Sequence, residues 1–70
     1  MDSTRYEIRV RGRVRESLLS QFDGFDAEVE PAETVLRGPL RDQAELHGLL
    51  DQIQGLGLEL LEVRQVGSAE

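Results

Sequence analysis

The chain has no cysteine, so neither a disulfide nor a thiolate metal site is there to staple it. It has no lysine, and all eight basic residues are arginine. Schiff-base chemistry and a Walker-type phosphate lysine are therefore excluded. Aromatics are scarce: one tyrosine, two phenylalanines and no tryptophan. No apolar run approaches the roughly 18 residues of a membrane span. The opening "MDSTRYEIRV" lacks the apolar stretch of a secretory signal. These absences point to a soluble, cytoplasmic chain held together by packing. Seventy residues allow one domain with one modest core, expected over about residues 5–66.

What is present belongs to a globular chain, 39% hydrophobic and 31% charged. The formal charge of −6 argues against nucleic acid, whose binding neutralises phosphates with cations. The charge is unevenly spread. Arg5, Arg9, Arg11, Arg13 and Arg15 cluster early, and Asp23, Asp26, Glu28, Glu30 and Glu33 follow as an acidic block.

"RYEIRVRGRV" alternates with the period of a half-buried strand. Tyr6, Ile8, Val10, Gly12 and Val14 point one way; Glu7, Arg9, Arg11 and Arg13 point the other. Val14, Leu18, Leu19 and Phe22 then fall at helical spacing over about two turns, closed by Asp23-Gly24. Ala27 and Val29 form a second extended piece. Pro31 offers no amide hydrogen, so that piece should be an edge strand or should end there. Thr34 to Arg37 extends again, and Gly38-Pro39 is expected to break this strand.

Asp42 with Glu45 reads as a capping box. Leu46, Leu49, Leu50 and Ile53 form the apolar stripe of the helix that follows, with Gly55 or Gly57 as its stop. "LELLEV" is the closing strand. Its apolar residues occupy both parities, which requires either cover on both faces or a bulge. "GSAE" reads as a frayed end. The order β-α-β-β-α-β predicts an α+β, ferredoxin-like fold: a four-stranded antiparallel sheet, order 4-1-3-2, with two helices on one face.

Catalytic chemistry finds little to build on. His47 is the only histidine, and no serine stands in a suitable context beside it. Glu45 and His47 lie two apart on different sides of a helix and do not converge on a metal. Asp51, four after His47, is placed for a hydrogen bond or ion pair. No cofactor is implied. "VRGRVRESLLSQF" faintly resembles the phosphate loop of acylphosphatases through Gly12 and Val14. Arg15-Glu16 stands where Gln-Gly is wanted, however, and the chain has no asparagine to orient a water.

Two surfaces carry more signal. The open sheet face, expected at Glu7, Arg9, Arg11, Arg13, Val35 and Arg37, has no aromatic on which to stack a base. Cross-strand pairing with Glu28, Glu30, Glu59 or Glu62 accounts for its arginines; the alternative is a partner surface at Arg9, Arg11, Arg13 and Arg37. On the second helix, Ala44, Gly48 and Gly55 form a strip of small residues opposite the leucines, flanked by His47 and Asp51. A mid-helix glycine costs about 1 kcal/mol relative to alanine, and close approach of another backbone is one physical use for it.

The segment "TVLRGPLRDQAELHGLLDQIQGLGLELLEV", with "YEIRV" near the start, resembles a group of short stand-alone bacterial proteins frequent in high-GC actinobacteria. The likeness spans residues 6 to 66, and the string Asp42-Gln43-Ala44 with Leu46-His47-Gly48-Leu49-Leu50 is its most specific part. It implies a cytoplasmic bacterial protein and supplies no activity. The first helix here is shorter and poorer in aromatics than in that group. The expected function is a non-enzymatic protein-interaction or oligomerisation module, with a homodimer as one form. The alternative is a small-ligand sensor of the ACT kind, its ligand unidentified.

Overall fold

A computed structural model describes residues 3–69. The elements run β1 (Ser3–Arg11), α1 (Glu16–Leu19), β2 (Asp26–Val29), β3 (Glu33–Leu40), α2 (Gln43–Gly55) and β4 (Leu60–Ala69). The strands form one open antiparallel sheet in the order β2-β3-β1-β4, so β1 and β3 are central. Ile8, Val10, Leu36 and Leu40 of the central strands meet Val14, Phe22, Leu49 and Ile53 in a single core. Full burial of such a side chain is worth about 1.5–3 kcal/mol. Among the described residues no helix is long and apolar enough to cross a membrane.

The direction of the ladders explains several local choices. Gly12 N–H donates to the Ala32 carbonyl, and Arg11 N–H donates to the Glu59 carbonyl. Even residues of β1 therefore bond toward β3 and odd ones toward β4. In β3 the even residues turn to β1 and the odd ones to β2. This corrects the expectation that Gly38-Pro39 breaks the strand. Pro39 is an odd residue, β2 begins at Asp26 opposite Arg37, and among the described residues no strand lies where an amide at position 39 would point. The missing N–H costs no ladder bond. Gly38 is needed for a different reason: a Cβ there would stand 2.7 Å from the Phe25 ring and 2.9 Å from the Gly24 carbonyl oxygen.

β1 stops at Arg11, three residues earlier than its alternation suggests. Gly12 takes φ +83, a left-handed conformation that glycine adopts without a Cβ penalty, and the chain leaves the sheet. Thr34, fully buried, holds this exit: Val14 N–H donates to its Oγ1 at 3.0 Å and its hydroxyl donates to the Gly12 carbonyl at 2.8 Å. α1 is one turn, not two. Arg15 gives it no side-chain cap, and after Ser20 the backbone tightens into i→i−3 bonds, Gln21 to Leu18 and Phe22 to Leu19. So short a helix is marginal alone; it is carried by Val14, Leu18, Leu19 and Phe22 in the core.

α2 starts where Asp42 Oδ1 accepts the Glu45 N–H at 2.9 Å. The expected reciprocal bond goes elsewhere, from Arg41 N–H to Glu45 Oε1 at 2.7 Å. Leu49 and Ile53 are buried, and Leu46 and Leu50 are packed against the core. The stop is Gly57 (φ +80), with Leu58 N–H donating to the Ile53 carbonyl and Gly57 N–H to the Gln54 carbonyl. Those are the two bonds of a Schellman cap.

β4 resolves its parity conflict with bulges. Its register against β1 shifts between Arg5 and Tyr6 and again between Arg9 and Val10. One extra residue lets both Leu60 and Val63 oppose core-side residues, Val10 and Ile8. The strand also runs through Gly67, Ser68 and Ala69, which pair with Arg5, Thr4 and Ser3, so those residues are not a frayed end. Glu70 lies outside the described residues.

Candidate interaction surfaces

The sheet face away from the core carries a charged network that touches all four strands. Arg37 of β3 reaches Glu28 of β2 at 3.0 Å and Glu7 of β1 at 3.2 Å. Arg9 reaches Glu7 at 2.8 Å, Glu33 of β3, and Glu62 of β4 at 3.6 Å. Glu62 in turn lies 3.5 Å from Arg64. Cross-strand register places these groups together: Glu7 stands opposite Arg37, and Arg9 opposite both Val35 and Glu62.

Glu7 is the hub and is itself only 8% exposed, while Val35 beneath the network is fully buried. Both were expected to be exposed. The alternation predicts the face correctly, but long arginine stems lie across short neighbours and remove them from water. Hydrogen bonding from Arg37, and then from Arg9 against the opposing cost of desolvation, holds the Glu7 carboxyl below the ordinary range. The same pairs raise both guanidinium pKa values, Arg9 chiefly through Glu7 and Arg37 chiefly through Glu28.

The four candidate arginines of this face do not act as a set. Arg9 and Arg37 are committed to the network. Arg11 pairs separately with Glu59 at 2.9 Å, and Arg13 lies beyond the end of β1, exposed. Of the expected acidic partners, Glu28, Glu59 and Glu62 are used. Glu30 pairs with none of the arginines among the described residues, and its backbone N–H instead donates to the Glu33 carbonyl across the hairpin. Glu7 is expected on this face but not as a partner of its arginines, and Glu33 is not expected in either role. The signal for Glu7 was available in its i, i+2 spacing from Arg9 on one strand face; that for Glu33 lies in the pairing of β3 with β1.

On α2, Ala44, His47, Gly48, Asp51 and Gly55 are all exposed. A Cβ at Gly48 or Gly55 would meet nothing within 4 Å, so the fold itself does not require either glycine. His47 makes no hydrogen bond or ion pair with Asp51 among the described residues. Nor do three His, Asp or Glu side chains converge there as a metal would need. Glu45 at the start of α2 has its carboxyl held below the ordinary range, first by the Arg41 backbone N–H and then by its guanidinium.

Two further features had no place in the sequence reading. A groove of about 350 Å³ opens between α2 and the α1–β2 connection, floored by Phe22, Phe25, Leu40 and Leu49 and rimmed by Asp23 and Glu45. The other is aliphatic exposure along β4. Leu61 (41%), Val63 (36%) and Val66 (45%) stand in water on a strand with a neighbour on one side only.

A family model described as a domain of unknown function, DUF8691, matches residues 5–64, and the chain belongs to that family. Neither a curated protein nor a solved structure matches it significantly.

Proposed function

We propose that this member of the DUF8691 family is a non-enzymatic protein-interaction or oligomerisation module with a ferredoxin-like fold. Read from the β4 edge, the strand order is 4-1-3-2, and the β-α-β-β-α-β succession supports that label. The observation that carries the functional reading is the aliphatic exposure of β4. In a 7.9 kDa chain with so small a core, three large aliphatic side chains left in water on one edge strand are apolar surface that association would bury. The glycine strip of α2 is a second surface open to approach. The arginine face is the poorest of the three, because its charges already neutralise one another.

Solution mass tests this reading. Light scattering across a concentration series is expected to show mass rising above 7.9 kDa. Arg11→Glu should leave that rise unchanged, and Gly48→Glu should abolish it only if the contact lies on α2. A mass fixed at the monomer value throughout would remove the oligomerisation reading.

A second reading, an ACT-like sensor of small ligands, draws on the groove at Phe22, Phe25, Leu40 and Leu49, whose volume lies within the range of ligand sites. A panel of amino acids that raises the melting temperature would favour it.

A further inference from the structure

The two edges of the sheet are built differently. β2 is four residues long, its accessible side is flanked by Asp26, Glu28 and Glu30, and Pro31 follows at once. Two copies meeting there would bring like charges together. β4 is ten residues long and mixes aliphatic side chains with both signs of charge.

Because odd residues of β1 bond toward β4, their partners Glu62 and Arg64 turn their backbone groups inward. Val63 and Gln65 therefore present N–H and C=O groups outward. The bulges on either side confine regular strand to Glu62–Gln65. Only a few antiparallel registers between two such segments can form hydrogen bonds, since outward residues must meet outward residues. Centring on Arg64 sets two arginines face to face. Centring on Gln65 sets Arg64 against the bulged Val66. Centring on Val63 sets Val63 against Val63 of the second copy and places Glu62 opposite Arg64 twice, once on each side of the axis. Arg64 is also the loosest member of the charged network, held among the described residues by a single 3.5 Å contact to Glu62.

We infer that β4 pairs with β4 of a second copy of this chain, antiparallel about a two-fold axis at Val63, joining two sheets into one. This rests on the oligomerisation reading above and specifies its surface. Opposite charges across an isologous edge fix the register, while the bulges exclude its slippage. Val63 and the neighbouring Leu61 and Val66 supply the apolar contact, and the short ladder makes the dimer weak and concentration-dependent.

The absence of cysteine makes the test clean, because any introduced thiol is unique. In this register the two Val63 Cα atoms lie about 5.5 Å apart, inside the disulfide window of about 4.4–6.8 Å. Val63→Cys under mild oxidation is expected to form a covalent dimer about tenfold faster or more than Val29→Cys, a site of similar exposure on the β2 edge, or Gln65→Cys. Val63→Pro removes only an outward amide and is expected to keep native circular dichroism while its mass stays monomeric. Cross-linking of Val63→Cys no faster than the controls would overturn the inference, whether or not Val63→Pro folds. So would a folded Val63→Pro that associates like the parent. A parent chain that associates while both variants behave in these ways would keep the module reading and move its interface to α2, where Gly48→Glu locates it. A parent that never associates would remove both.

Discussion

The two faces of the central strand β3 bury apolar side chains equally well and by different means. Leu36, 1% exposed, lies under the hydrocarbon of Ile53, Leu49 and Phe22. Val35, 0% exposed, lies under guanidinium and carboxylate groups on the side where no helix packs. Burial by interlocked hydrocarbon and burial by a roof of charged stems give the same accessibility. They differ in what can refill a gap: packed core side chains move little, whereas an arginine stem on the surface has rotamers to spare.

The largest effect should therefore separate those two sites. Leu36→Ala removes atoms that the rigid core cannot replace and is expected to cost about 3 kcal/mol. Val35→Ala is expected to cost only about 1 kcal/mol, below its transfer value, as Arg9 and Arg37 settle into the space. Urea denaturation of both variants checks this. Equal losses would mean that the charged roof is as rigid as the core. A second effect lies within the helix-covered face. Thr34→Val keeps the shape and deletes the hydroxyl that joins Val14 N–H to the Gly12 carbonyl. With two backbone groups left unpaired, a loss of about 2 kcal/mol is expected, and amide exchange at Val14 should accelerate with it.

The same contrast explains which parts were legible in the sequence. Alternation in Tyr6–Arg11 and the stripe Leu46, Leu49, Leu50, Ile53 reported the helix-covered face directly, because each follows from one element's own period. Pro31 marked the end of β2 for a local reason, a missing donor, and the strand does stop at Val29. Pro39 misled for the same reason, since whether a missing donor matters depends on whether β2 reaches that far, and chain-local pattern does not carry the length of a neighbouring strand. The two parities of "LELLEV" contained the bulge, but its position depended on pairing with β1. Arg13 was assigned to the sheet by alternation that Gly12 interrupts. The open face was the least legible. Its charges were countable, yet the role of Glu7 as hub depends on Arg37, thirty residues away, standing opposite it in register.

The smallest expected effect tests whether the roof over Val35 is electrostatic at all. Glu7 has its folded pKa depressed, chiefly by the hydrogen bond from Arg37. The unfolded chain therefore takes up a proton at that site before the folded chain does. The stabilisation is complete above the unfolded carboxylate pKa and is lost as pH falls through the lower, folded value. Glu45 is shifted in the same direction by Arg41 and adds to the same acid limb. Glu7→Gln should lower neutral-pH stability by a small amount, because the charged carboxylate is lost while Arg9 retains Glu33 and Glu62 and Arg37 retains Glu28. The gap from the parent should close on acidification, seen as a shallower fall in urea midpoint between about pH 7 and about pH 3. Added salt should shrink the difference between the two chains, since these groups sit near the surface. An acid limb identical to that of the parent would mean that the Glu7 carboxylate contributes nothing to stability. Val35 would then be kept dry by the arginine stems alone, and the open face would differ from the core only in its geometry.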